Sequence, residues 1–237
     1  MSLSVNQAAS WKCIIQARMG STRLPGKVIM KVGKSLLIEH VIERARESFN
    51  DQDIVLATTT DSIDDKLVDI VKHRFEIIIY RGYPLDVRSR FADIAISMGA
   101  THLVRITADD PFKDPQDIRL SKYILQESNA DYFCNFVDSN LPLGMDIESF
   151  STGALLRSIQ IDNSDLAKEH VTKTLRENQD FRRVYVKENR GSRDLRLTID
   201  NSDDLAFCHE IALRLKEGNF TWEHTIEAAE NIKRMKL

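Results

Sequence analysis

Four short runs rich in Ile and Val, at residues 13–16, 53–58, 76–80 and 102–107, alternate with segments whose apolar residues recur at helical spacing. The runs are too short for helices and are bounded by turn signals, so they read as buried strands. Between them, Ile38, Val41, Ile42 and Ala45, then Ile63, Leu67, Ile70 and Val71, then Val87, Phe91, Ile94 and Ala95 each form one face of a helix. Strand, helix, strand, helix in a soluble chain means right-handed crossovers and a mostly parallel sheet covered on both faces. The expected fold is therefore α/β, a three-layer α/β/α sandwich.

The second half alternates less regularly. Asp114, Pro115 and Asp117 supply an N-cap, a first-turn proline and a first-turn acid for a helix to about residue 127. Ser151, Ser202 and Thr221 are similar helix starts, and residues 131–136, 145–150, 182–187 and 195–199 read as further strands, which makes the sheet mixed. With only 9 glycines and 5 prolines there is no linker tract. The reading is one domain over residues 11–237, with an excursion near 135–150, and a flexible N-terminus over residues 1–10. At 42% hydrophobic and 29% charged residues the chain is not disordered. Its 33 basic against 36 acidic residues argue against a net-basic surface for duplex nucleic acid. No apolar run is long enough to span a membrane, and residues 1–10 lack the basic flank and apolar core of a secretory signal, so the expected location is cytoplasmic. Cys13, Cys134 and Cys208 are odd in number and widely spaced, which suits buried thiols rather than disulfides or zinc.

The sharpest local feature follows the first strand directly: Gln16-Ala17-Arg18-Met19-Gly20-Ser21-Thr22-Arg23-Leu24-Pro25-Gly26-Lys27. Small residues Gly20, Ser21 and Thr22 let a backbone turn present N–H donors, while Arg18, Arg23 and Lys27 can neutralise phosphate charge. The spacing is neither a Walker loop nor a dinucleotide fingerprint. Two further segments, Arg105-Ile106-Thr107-Ala108-Asp109-Asp110 and Arg196-Leu197-Thr198-Ile199-Asp200-Asn201, share one short pattern. Each delivers an aspartate, Asp109 or Asp200, at the carboxyl end of an expected strand, where open α/β sheets bind ligands. Magnesium is commonly held by one or two such carboxylates plus substrate phosphates. Equally, either aspartate could be a helix cap or turn former. Asp110, Asp114, Asp203 and Asp204 read as capping or first-turn acids.

Residues 18–27 resemble the A-R-x-x-S-T-R-L-P-G-K signature of the cytidylyltransferase family, which includes the CMP-sugar-acid synthetases, and resemble most its spore-coat polysaccharide biosynthesis branch. The likeness continues through Arg81-Gly82 with Asp86-Val87 and Arg90-Phe91, Arg105 to Pro115, Pro142 to Phe150, Glu169-His170-Val171-Thr172, and Arg196 to Leu205. The resemblance implies a nucleotide-diphospho-sugar transferase-like fold and transfer of CMP from CTP to an acidic sugar or similar anionic acceptor, with release of pyrophosphate. Under it, Arg18 and Lys27 are catalytic and hold the triphosphate beside Arg23, Ala17, Gly20, Ser21 and Thr22 supply loop contacts, and Asp109 and Asp200 hold Mg2+. It also implies a homodimer, for which the excursion near residues 135–150 could supply the contact.

Other positions stand further from the loop. Thr58, Thr59 and Thr60 follow the second strand, where related proteins place sugar or base contacts. Arg81 and Arg88 could approach the base or the acceptor; Arg88 replaces the family's Leu and reads as a solvated arginine. Asp146 and Glu148, two apart on an expected strand, share a face and could bind acceptor hydroxyls or a second metal, or form the polar face of an edge strand. His170 could donate to an acceptor carboxylate or phosphate, or be a satisfied core histidine. His40, His73, His102, His209 and His224 lack metal spacing and read as structural. Two alternatives stand beside the CTP reading: a sugar-1-phosphate nucleotidyltransferase using UTP or GTP, and a nucleotide-binding module without catalysis, which loss of Lys27, Asp109 or Asp200 would favour.

Overall fold

A computed structural model describes residues 9–191, 194–216, 218 and 221–235. In chain order the elements are β1 (Trp11–Gln16), β2 (Lys31–Val32), β3 (Ser35–Leu36), α1 (Leu37–Arg46), β4 (Ile54–Thr59), α2 (Asp65–Arg74), β5 (Ile78–Gly82), α3 (Val87–Ser97) and β6 (His102–Thr107). They continue with α4 (Pro115–Ser128), β7 (Tyr132–Cys134), β8 (Glu148–Ser151), α5 (Thr152–Ile161), α6 (Asp165–Glu169), α7 (Lys173–Glu177), β9 (Arg183–Tyr185), α8 (Ser202–Arg214) and α9 (Trp222–Met235).

The main sheet has seven strands in the order β5-β4-β1-β6-β8-β7-β9. From β5 to β6 every pairing is parallel. β8 runs antiparallel to both β6 and β7, and β9 is parallel to β7. The sandwich is thus mixed, as the sequence pattern implies. Alternate residues of the central strands feed opposite faces. Cys13, Ile15, Ile54 and Leu56 pack with Ile38 and Val41 of α1 and Leu67 of α2. Ile14, Val55 and Ala57 pack with Phe91 of α3 and Ala154 of α5. A third cluster joins Leu141, Met145, Leu195, Leu197 and Ile199 to Cys208 of α8 and Ala229 of α9. All three cysteines are buried free thiols.

Capping chemistry sets several helix starts. The Asp114 carboxylate accepts from the Gln116 amide at 2.7 Å, with Pro115 at the first helical position, and Ser151 accepts from the Ala154 amide at 3.1 Å. The cap of α8 is Asn201 rather than Ser202; it accepts from the Asp203 and Asp204 amides while the Asp204 side chain returns to the Asn201 amide. Asp110 caps nothing: its buried carboxylate takes the Thr107 hydroxyl at 2.7 Å and the Lys113 ammonium at 2.9 Å.

Further expectations need correction. Residues 195–199 are extended but join no sheet. Leu195, Leu197 and Ile199 point inward with the expected period of two, yet the neighbour is the loop at Leu143, which exchanges hydrogen bonds with Leu195 and Leu197. Gly144, at φ +98°, is what lets this loop close; a Cβ there would lie 2.8 Å from the Leu197 and Thr198 backbone. Within residues 135–150, Leu141 and Met145 are buried in the third cluster. Ser10, assigned to the N-terminal tail, is tied to Thr101 and His102 by backbone hydrogen bonds; residues 1–8 of that tail lie outside the described residues. Arg88 is not solvated: it is 1% exposed and donates to the Ser158 carbonyl of α5 at 3.3 Å. Helices α6 and α7, each of 5 residues, are too short for periodicity to register. Among the described residues no helix is long and apolar enough to cross a membrane.

Candidate active site

The loop after β1 leaves the carboxyl edge of the parallel sheet, where such folds open a ligand crevice. It is pinned at several points. The Ala17 amide donates to the Ala57 carbonyl at 3.2 Å, and the Met19 carbonyl accepts from both the Ser21 and Gly26 amides at 2.9 Å. Gly26 sits at φ +73°, a conformation that costs glycine little. Beneath the loop, the Asp64 carboxylate, 1% exposed, accepts from the Met19 amide at 2.6 Å and from the amide and hydroxyl of Thr59. The amides of Gly20, Thr22 and Arg23 donate to no acceptor among the described residues. These free donors, with exposed Arg18, are of the type that can receive anionic oxygens.

A cavity of about 350 Å3 opens beside the loop, and Arg18, Ser21, Thr22, Arg23, Lys27, Asp109, His170 and Asp200 all line it. Lys27 is nearly buried, its ammonium 3.0 Å from Asp109 Oδ2, 3.3 Å from Asp200 Oδ1 and 2.6 Å from the Ile199 carbonyl oxygen. Asp200 also meets the Arg23 guanidinium at 2.7 Å, and Arg196, which in turn holds Asp204 at 2.8 Å. A backbone bond from the Ile199 amide to the Asp109 carbonyl at 2.9 Å fixes the two aspartate-bearing segments together. Residues separated by most of the chain thus converge on one ammonium. The two carboxylates offer hard oxygen donors suited to Mg2+. Among the described residues no group of three metal-ligating side chains exists. The pair is accordingly a partial set of the kind that substrate phosphate oxygens complete, and in that sense it fits the metal.

The cavity's other wall holds residues that the motif reading did not single out: Gln16, Arg90, Arg105 and Glu169. Arg90 and Arg105 were legible only as fixed letters of their motifs. Arg90 is 1% exposed; its Nε has no partner and its NH1 reaches only the Tyr83 carbonyl, at 3.4 Å. Burial, with Arg18 nearby, pushes its guanidinium below the usual range. Arg105 bonds Gln16 Oε1 through Nε and NH2, both at 3.3 Å, and Glu148 Oε2 through NH1 at 2.5 Å. Burial opposes its charge, and Glu148 more than restores it, holding Arg105 above its ordinary value.

Glu148 is 4% exposed and does not open on the cavity, because Arg105, the Tyr132 hydroxyl and the Thr172 hydroxyl take up its oxygens. Asp146 precedes β8 rather than sharing it. Burial would raise its carboxyl, but Lys113 and Arg105 hold it below the usual range. Thr58 and Arg81 lie apart from the cavity. Thr58 is wholly buried within the sheet, and Arg81 is engaged by the Thr59 and Asp61 carbonyls, both at 2.8 Å, and by Asp65 at 2.6 Å.

A mostly parallel α/β sheet whose edge carries a phosphate-type cradle and a facing carboxylate pair defines a nucleotide-handling enzyme. Comparison with known proteins makes this specific. Residues 12–232 match the model of the cytidylyltransferase family, and the chain belongs to that family. It is a nucleotidyltransferase. It is 32% identical to the spore coat polysaccharide biosynthesis protein SpsF of Bacillus subtilis over 81% of this chain and 81% of that one. A cytidylyltransferase structure from Leptospira borgpetersenii superposes with a TM-score of 0.86 at 27% identity, covering 96% of this chain and 95% of the other. The fold is shared with CMP:2-keto-3-deoxy-manno-octonic acid synthetase complexed with CTP, TM-score 0.62 at 14% identity over 85% of this chain and 97% of that one.

Proposed function

We propose that this protein moves CMP from CTP to an anionic, sugar-like acceptor, releasing pyrophosphate, as a step in making a surface polysaccharide. One observation carries the reading: unengaged loop amides and the exposed Arg18 stand beside a lysine that gathers Asp109 and Asp200. The family match and the CTP complex of a fold relative support the choice of nucleotide; the similarity to SpsF supports the polysaccharide setting.

In this reading the Gly20, Thr22 and Arg23 amides and the Arg18 guanidinium bind the triphosphate oxygens. Lys27 and Arg23, already facing the crevice, offset charge that builds on the departing pyrophosphate. Asp109 and Asp200 would hold Mg2+, which when bound supplies further neutralisation of the phosphates. Attack in line by an acceptor oxygen on the α-phosphorus needs no covalent protein intermediate. A homodimer belongs to the same proposal on the strength of the family resemblance; light scattering at twice the 27.1 kDa chain mass checks it.

Pyrophosphate release from CTP, UTP and GTP over a panel of acidic sugars, with and without magnesium, tests the reaction. CTP with magnesium is expected to be the productive pair, and Asp109→Asn or Asp200→Asn to abolish turnover while circular dichroism stays unchanged. Full activity in both variants would remove their assigned role, and absence of any triphosphate binding by the intact protein would remove the proposal.

A further inference from the structure

The aspartate that opens α2 does not serve that helix. Asp64 stands at the N-cap position of α2, where an aspartate side chain usually accepts from a first-turn amide, and it makes no such bond. Its carboxylate turns instead toward the loop after β1. Oδ1 accepts from the Met19 amide at 2.6 Å, and Oδ2 accepts from the Thr59 amide at 3.2 Å and from the Thr59 hydroxyl. Asp64 is 1% exposed and forms no ion pair among the described residues. Burying a charge without a counter-charge opposes folding, and here the helix cap is forgone as well. Stability alone is a poor reason for the arrangement.

The carboxylate gives the loop two faces. Ala17 and Met19 are buried in the first cluster, while Arg18 and Gly20 between and after them are exposed. With the Met19 amide drawn inward, the Met19 carbonyl gathers the Ser21 and Gly26 amides, and the Gly20, Thr22 and Arg23 amides stay free. Resting on the nucleotidyl-transfer reading above, we propose that Asp64 is a positioning residue for the triphosphate, holding the loop in its binding shape before any ligand arrives. Thr59 ties this device to the end of β4: its hydroxyl also accepts from the Asp61 amide at 3.2 Å, and its carbonyl accepts from Arg81 Nε at 2.8 Å. A loop fixed in advance loses less freedom on binding, so Asp64 contributes to affinity without touching the ligand. Both of its oxygens are needed. An asparagine offers one acceptor oxygen, so in either orientation of its amide the Met19 or the Thr59 backbone N–H faces an NH2 group.

Two measurements on the full-length protein, made with no acceptor present, test the assignment. Hydrogen–deuterium exchange of the free protein is expected to quicken at the amides of residues 17–24 in Asp64→Asn while β1 and β6 keep their wild-type rates. Calorimetry with magnesium is expected to show the affinity of that variant for CTP falling about 10- to 100-fold, the span of a hydrogen bond to a charged group. Its affinity for CMP, which keeps one phosphate of the chain that the loop grips, is expected to fall by less than about threefold. A merely structural lesion weakens both nucleotides together. Thr59→Val removes the hydroxyl and leaves both amides on Asp64; it is expected to show the same split at smaller size, and it carries the test if Asp64→Asn does not fold. Unchanged CTP affinity, an equal loss for CTP and CMP, or unchanged exchange in the loop each overturns the assignment. Wild-type protein that binds no CTP overturns the nucleotidyl-transfer reading instead, and the exchange rates still decide whether Asp64 holds the loop.

Discussion

At the scale of the residue, the histidines show how position sets chemistry. His40 has its Nε2 2.6 Å from the Val32 carbonyl, a contact that a neutral ring makes by donating. Burial pulls its pKa below the ordinary 6.5, a shift that the carbonyl opposes and Arg44 reinforces; His102 moves the same way through burial. A base with a lower pKa folded than unfolded gains a proton on unfolding. Its contribution to stability is whole above about pH 6.5 and drains as the pH falls from there toward the folded value. The melting midpoint should therefore fall between about pH 7.5 and 5.5, with a shallower fall in His40→Gln. Identical slopes would show that His40 does not titrate in this window. The charged residues of the loop and the aspartate pair were legible because phosphate and metal chemistry demand particular side chains: Arg18, Arg23, Lys27, Asp109 and Asp200 all reach one cavity. Glu148 was not. Its carboxylate is as visible in the sequence as Asp200, but that it faces inward depends on Tyr132 and Thr172, which no local pattern pairs with it.

At the scale of the element, the end of β5 illustrates a fit between strand and helix that patterning leaves unspecified. A Cβ on Gly82 would stand 2.6 Å from Arg90 Cγ and 2.9 Å from Tyr80 Cε1, so glycine here makes room for the stem of a buried arginine. Gly82→Ala is expected to cost about 1–3 kcal/mol, the range for overpacking, read as a lower urea midpoint with unchanged slope. A neutral substitution would mean that Arg90 can leave its seat freely. The same limit explains the extended stretch at residues 195–199. Its two-residue period was correct and its partner was not, because side-chain alternation reports which residues turn inward and not whether the neighbour is a strand or a loop. The first-half strands were legible since each is flanked by a helix long enough to declare its face.

At the scale of the molecule, three apolar clusters share one framework: two lie on either side of the sheet, and the third joins α8 and α9 to the loops near the site. The two tryptophans sample different parts of it. Trp11 packs on the first cluster and stacks on His102 at 4.7 Å, while Trp222 packs on the third, beneath the Arg190 guanidinium at 4.7 Å. If the chain is one cooperative unit, the single-tryptophan variants Trp11→Phe and Trp222→Phe should report the same denaturation midpoint once each is corrected to its own circular dichroism transition. Separate midpoints would divide the third cluster from the sheet.

The crevice draws its two walls from different lengths of chain. The basic loop after β1 is one continuous run, whereas Glu169, His170 and Asp200 come from the irregular second half. An engineer could therefore exchange the second-half segments between relatives while leaving residues 16–27 untouched. A scaffold divided in this way can acquire new customers without relearning how to handle its currency.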